Sequence, residues 1–222
     1  MPPYAVTYEA DYAEQRSRPH TFFRWLTVIP VGFVLAVFSL GLIITLPVAW
    51  IAMVITGRYI PALYAYHSGL LRMGTRVTGY GLLVTDAYPS FGLAENPEYP
   101  VRVATAPAKH EYSRLKALFR LILAIPVSIV SYVLVMVADL VALVAWFVIL
   151  VLGKQVPALQ GATNMGLAYH TRAMAYLMLL TEDWPPFADI DMAIEPRAPD
   201  PELPAAPMTF AAPAGLDVRD HN

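Results

Sequence analysis

Apolar residues in this chain gather into two long blocks and do not follow the short periods of a soluble domain. Residues 25–57 contain no Asp, Glu, Lys or Arg, and residues 121–153 contain one, Asp139. A helix rises about 1.5 Å per residue and the hydrocarbon layer is about 30 Å thick, so about 20 apolar residues are enough to cross it. Each block therefore predicts a transmembrane helix. No turn signal or charge interrupts residues 38–46, so the first block reads as one helix, its excess length absorbed by tilt and by a kink at Pro30. Two less apolar stretches follow at residues 62–85, with Arg72 and Arg76, and 158–181, with Arg172. They predict shorter membrane helices, either crossing with their arginines turned to protein or headgroups or lying along the surface. Weak alternation from Tyr4 to Tyr8 and from Tyr99 to Val103 predicts short strands or extended arms.

The blocks recur. Shifting the chain by 96 residues aligns residues 17–91 with 113–187 without a gap, with 24 identities in 75 positions. Common apolar residues can match by composition, but Arg18 with Arg114, Phe23-Arg24 with Phe119-Arg120, Ile29-Pro30 with Ile125-Pro126 and Ala49-Trp50 with Ala145-Trp146 cannot. Gly57 with Gly153, Pro61-Ala62-Leu63 with Pro157-Ala158-Leu159, and Thr75-Arg76 with Thr171-Arg172 continue the match, followed by Tyr80 with Tyr176 and Thr85 with Thr181. Each copy predicts an interfacial start, a long span closed by a left-handed glycine, and a second helix opened by a first-turn proline. The expected fold is all-α and integral to the membrane: repeats at residues 1–92 and 93–189, four spans in total, and a disordered Pro/Ala-rich tail over residues 190–222.

Charge supports the membrane class and adds a topology. Charged residues are 14% of the chain against about 25% in an ordinary soluble domain, while apolar residues reach 57%. A net charge of -2 carries no footprint of a nucleic-acid binder. The lack of cysteine removes disulfides, thiol catalysis and cysteine-bound metals. The apolar run starting at Trp25 is too long for a cleavable signal. If four segments cross, Arg16, Arg18, Arg24, Arg102, Lys109, Arg114, Lys116, Arg120, Arg197 and Arg219 fall on one side and Arg58 and Lys154 on the other. That asymmetry predicts a multi-pass protein of the cell membrane with both termini cytoplasmic, its repeats related by an axis along the membrane normal.

The ordered Phe-Arg, Ile-Pro, Ala-Trp, Gly-Arg-Tyr and Thr-Asp-x-Tyr-Pro-x-Phe elements resemble those of bacterial membrane proteins carrying the domain of unknown function 4389. The resemblance covers both copies, with departures at Lys154-Gln155-Val156 and Glu182-Asp183-Trp184. It implies a membrane location and the duplication, and no chemistry.

Asp139 stands where the first copy has Ile43. A carboxylate in an apolar span needs a partner, a proton or water. It reads either as an internal ion pair with Arg76 or Arg172 or a hydrogen-bonded neutral acid, or as a proton or cation site. Arg76 with Tyr80 and Arg172 with Tyr176 sit one helical turn apart and could hold a lipid phosphate, as could Arg24 and Arg120 at the interface. His67 and His170 do not match in the repeat and lack metal-binding neighbours, so no metal or cofactor is expected. Phosphate loops and hydrolase motifs are absent. The expected function is a non-enzymatic scaffold, accessory subunit or lipid-organising protein. Its expected partners are membrane lipids, another membrane protein or itself as an oligomer, with no nucleic acid. The alternative is a small oligomeric transporter or channel with Asp139 lining a path between the repeats.

Overall fold

The structure, a computed structural model, describes residues 4–187; the expected tail lies outside them. The order is β1 (Val6–Ala10), α1 (Arg18–Phe22), α2 (Arg24–Leu40), α3 (Leu42–Thr56) and α4 (Pro61–Gly81), then β2 (Val101–Thr105), α5 (Arg114–Leu118), α6 (Arg120–Leu152) and α7 (Pro157–Leu177). Local chemistry sets the boundaries in both copies. The Ser17 and Ser113 hydroxyls accept the N–H groups of His20 and Lys116 as N-caps. Gly57 and Gly153 close the long helices at φ 70° and 71°. Pro61 and Pro157 occupy first turns, where a missing N–H costs nothing.

Each repeat is an antiparallel helical hairpin. Val31 of α2 packs with Met73 and Val77 of α4, and Val127 of α6 packs with Tyr169 and Ala173 of α7. The hairpins meet through α4 and α7, where the Thr75 and Thr171 hydroxyls share a 3.1 Å hydrogen bond. The arms form an antiparallel ribbon with Val6 opposite Thr105 and Tyr8 opposite Val103. Corresponding segments of the two copies thus meet at two places, helix against helix and arm against arm, which places a pseudo-twofold axis through both. The fold is mostly helical, and the extended arms expected at residues 4–8 and 99–103 pair as a short ribbon. Val6 and Val103 pack in the cluster that holds Leu71 of α4 and Ala175 of α7, while Thr7 and Glu9 face outward.

Each arm docks on the other repeat. The Arg16 N–H donates to the Gly153 carbonyl at 3.0 Å, and the equivalent Tyr112 N–H to Gly57 at 2.8 Å. The Trp146 indole N–H donates to the Thr21 carbonyl (3.0 Å), and that of Trp50 to Ala117 (2.8 Å). Leu83 and Leu179 adopt the left-handed region (φ 64° and 65°), a strained choice for leucine. Burial offsets the strain: Leu83 packs with Ala145 and Ile149, and Leu179 clusters with Ala49 and Met53.

This exchange overturns the expected sorting of charge. Lys154 pairs with Glu14 at 2.8 Å and Arg18 reaches the Val151 carbonyl, so residues assigned to opposite sides are neighbours. The start of each long helix lies beside the end of the other, and α2–α3 and α6 run antiparallel. Counting loop charges misses it because each arm returns along the hairpins as an extended strand.

The long helices also differ. α6 is continuous over 33 residues, whereas α2 and α3 meet at a 41° bend. Pro30 and Pro126 both sit inside unbroken helix, so the expected Pro30 kink is not the cause. The bend lies at Gly41, where the Tyr66 hydroxyl donates to the Phe38 carbonyl and occupies the space a Cβ on residue 41 would need. Pro47 removes a further ladder bond one turn on.

Candidate functional site

The repeated arginines hold backbone. The Arg24 guanidinium donates to the Tyr80 and Thr85 carbonyls (2.7 Å for Thr85), pairs with Asp86 and lies 4.5 Å from the Tyr80 ring centre. Arg120 donates to the Tyr176 and Thr181 carbonyls at 3.1 and 2.7 Å and lies 3.8 Å from the Tyr176 ring centre. The Tyr80 and Tyr176 carbonyls end α4 and α7 beyond the reach of the regular ladder; each accepts the N–H of Leu83 (3.2 Å) or Leu179 (3.1 Å), and the guanidinium adds a second donor. With both guanidinium groups 3% exposed, the two arginines fasten each second helix to the start of the first. This corrects their assignment, and that of Tyr80 and Tyr176, to lipid headgroups. The carboxylates that follow play unequal parts. Asp86 accepts the Ser17 N–H and meets Arg24, whereas Glu182 accepts the Ser113 N–H and meets Lys109 at 3.4 Å.

Arg76 and Arg172 turn away from the tyrosines one turn on. Arg76 donates to the Gly92 and Ala94 carbonyls at 2.8 and 3.1 Å, and Arg172 to Pro186 at 3.4 Å. The segments after α4 and α7 fold back over these helices and supply the carbonyls, a long-range closure that helical spacing does not encode. Tyr80 instead bonds the Thr27 hydroxyl at 2.7 Å.

Asp139 has neither arginine as a partner, nor any hydrogen bond or ion pair among the described residues. It lines a cleft of about 550 Å³ between the start of α2, the end of α4 and the second half of α6, with Trp25, Thr78, Leu143 and Trp146. Both repeats contribute walls, and apolar side chains dominate them.

The histidines serve packing. His67 Nε2 meets the Thr45 hydroxyl at 2.9 Å and Nδ1 the Tyr59 hydroxyl, and His170 Nδ1 meets Ser131 at 2.9 Å. Among the described residues no cluster of three His, Asp or Glu can hold a metal. Sequence reasoning missed Arg16, which donates to the Val84 carbonyl and to Gln160 Oε1 at 3.1 Å. Burial pulls its guanidinium below the ordinary value, and Asp86 opposes the shift. Its repeat counterpart is Tyr112, so identity across the copies carried no signal. The tryptophans did carry one, since Ala-Trp recurs, but its meaning needed the exchange.

Fold and site together define a duplicated helical-hairpin protein with one unbroken apolar helix long enough to cross a membrane, Arg120–Leu152, and a bent pair that would serve as a second. The family model described as a domain of unknown function (DUF4389) matches residues 18–92 and 114–189, and the chain belongs to that family as two tandem copies. Both strands of the ribbon lie outside the matched residues. No curated protein and no solved structure matches the chain.

Proposed function

We propose that the protein is an integral membrane protein without enzymatic activity that organises lipid around an apolar face and presents a polar ribbon to partners. The observation that carries this reading is where the large exposed apolar side chains fall. They concentrate on α2, α3 and α6, with Trp25 68% exposed and Ile43, Ile44 and Val151 each 71% exposed. A contiguous patch far beyond a few hundred Å² marks a membrane or protein contact, and a face this long with no charge but Asp139 fits acyl chains. Expressed protein should pellet with membranes, resist alkaline carbonate extraction and co-purify with phospholipid in mild detergent. Recovery as a detergent-free soluble monomer would sink the reading.

The Asp139 cleft favours a second reading, a binding or transport site between the repeats. A carboxylate among tryptophans, with no partner among the described residues, suits a cation carried on an apolar body. Flux of protons or cations from loaded liposomes that vanishes in Asp139→Asn would favour it; no flux above empty vesicles would remove the transport version.

A further inference from the structure

We infer that the apolar face is seated in a single leaflet, with α2–α3 and α6 lying along the membrane and both ends of each long helix returning to the same surface. The inference rests on the membrane reading above and names its geometry. It starts from the ribbon. β2 begins near the end of α4, where Tyr99 donates to the Ala87 carbonyl, and finishes near its start, where Tyr64 donates to Ala106. β1 runs back the other way, from Tyr4 at the Asp183 carbonyl (3.2 Å) to Tyr12 at the Gln155 carbonyl (2.8 Å). The two strands therefore travel the length of the hairpins, on the side of α4 and α7 away from the long helices.

If the hairpins crossed a bilayer end to end, this ribbon would lie at hydrocarbon depth. It cannot. It has two strands, so each leaves one backbone edge unpaired, and it carries Arg102, paired with Glu9 and Asp11 at 3.5 and 2.7 Å, with both carboxylates open to solvent. Lipid-exposed open edges do not occur in the hydrocarbon, because each unsatisfied backbone group costs several kcal/mol there. The ribbon is in water, and so are the helix ends that it links.

The long helices fit this placement. A 33-residue helix is about 50 Å long, well beyond the hydrocarbon thickness of about 30 Å, yet α6 is unbroken. Lying in the plane, it has no excess length to absorb. Its buried residues Val127, Ser131, Ala138, Ala142, Ala145 and Ile149 form one seam toward the protein, and the apolar remainder faces out. Exposed Arg18, Arg58, Arg114, Lys116 and Lys154 stand at the helix ends, the level at which anionic headgroups attract cations. The occupant of the apolar face is therefore the acyl layer of one leaflet, and the same face fits the phospholipid monolayer around a neutral-lipid droplet.

The chain has no cysteine, so single substitutions at exposed positions report sidedness cleanly. His20→Cys, Arg58→Cys, Lys116→Cys and Lys154→Cys mark the two ends of both long helices. In sealed membranes of each orientation, an impermeant maleimide should label all four in one preparation and none in the other. Labelling of His20 and Lys154 from one side with Arg58 and Lys116 from the other would overturn the inference in favour of end-to-end crossing. Labelling of His20 and Lys116 together, opposite Arg58 and Lys154, would overturn it in favour of four parallel spans. Unsubstituted protein should also partition onto monolayer-coated triacylglycerol droplets, and retention in bilayers with exclusion from droplets would count against it. Loss of carbonate resistance would instead defeat the membrane reading itself.

Discussion

The two long helices share their ends and differ in their middles. Arg24 and Arg120, Trp50 and Trp146, Gly57 and Gly153, and Leu83 and Leu179 do equivalent work in each copy. Between them, Gly41, Pro47 and Tyr66 in the first repeat correspond to Val137, Leu143 and Ala162 in the second. Every part of the bend is thus missing from α6, which is continuous over 33 residues. Asp139 replaces Ile43 in the same zone. The exchange of arms constrains the ends, because each must fit a partner in the other repeat. The middles carry most of the exposed apolar side chains and have diverged, one into a bend and the other into an unbroken helix with a charge.

The largest effect should fall where the shared ends are least alike. Arg24→Met takes the guanidinium from two buried carbonyls and from Asp86, which is partly exposed and keeps Arg16 at 3.9 Å and the Ser17 N–H, so the loss should fall at the lower end of the about 3–5 kcal/mol that breaking a buried pair from one side costs. Arg120→Met loses bonds to carbonyls only, since Glu182 is held by Ser113 and Lys109, and should cost about 1.5–3 kcal/mol. Thermal unfolding in detergent should rank Arg24→Met below Arg120→Met; equal losses would show that Asp86 contributes nothing.

The bend offers the next test. Gly41→Val puts side-chain atoms where the Tyr66 hydroxyl sits, an overpacking that should cost about 1–3 kcal/mol. Adding Tyr66→Ala and Pro47→Leu copies the second repeat and should recover part of that loss while straightening the helix. Spin labels at Val37 and Ile51, both half-exposed, should move apart in the triple variant. An unchanged distance would place the cause of the bend outside these residues.

Local features were legible before any coordinates. The repeat, the glycine and proline helix boundaries and the extended arms follow from residue type and spacing. What escaped was everything that joins distant segments. Residues 38–46 hold no helix breaker stronger than glycine, and the break needs Tyr66 from another helix. Arg24 and Arg120 look like interfacial cations because the carbonyls they bind lie more than fifty residues away. The charge count assumed that each polar loop stays on one side of two separate hairpins, and the ribbon removes that assumption. Asp139 was recognised as exceptional, but its expected arginine partners were claimed by neighbouring loops.

The tryptophans test whether the ends are as equivalent as they look. Trp50→Phe and Trp146→Phe each remove one indole bond to a backbone carbonyl, worth about 1 kcal/mol. The two losses should agree and should add in the double variant, since the sites stand at opposite ends of the hairpins. A much larger loss from Trp146→Phe would tie that residue to the Asp139 cleft it also lines.

The smallest expected change is also the most diagnostic of divergence between the middles. Asp139→Ile restores the residue of the first repeat and removes a carboxylate without a partner among the described residues. A charged residue at the centre of a membrane helix costs about 2.5–3.5 kcal/mol, and a cleft that admits water lowers that penalty. The variant should therefore gain about 1 kcal/mol in thermal unfolding, with Asp139→Asn gaining less because its amide still needs hydrogen-bond partners. The reciprocal Ile43→Asp places a charge on a position that is 71% exposed and, on the membrane reading, should weaken membrane retention. If Asp139→Ile lowers stability instead, the carboxylate has a partner beyond the described residues. A bound amine or cation then becomes the explanation, and the unbroken helix becomes the half of the molecule that carries a ligand.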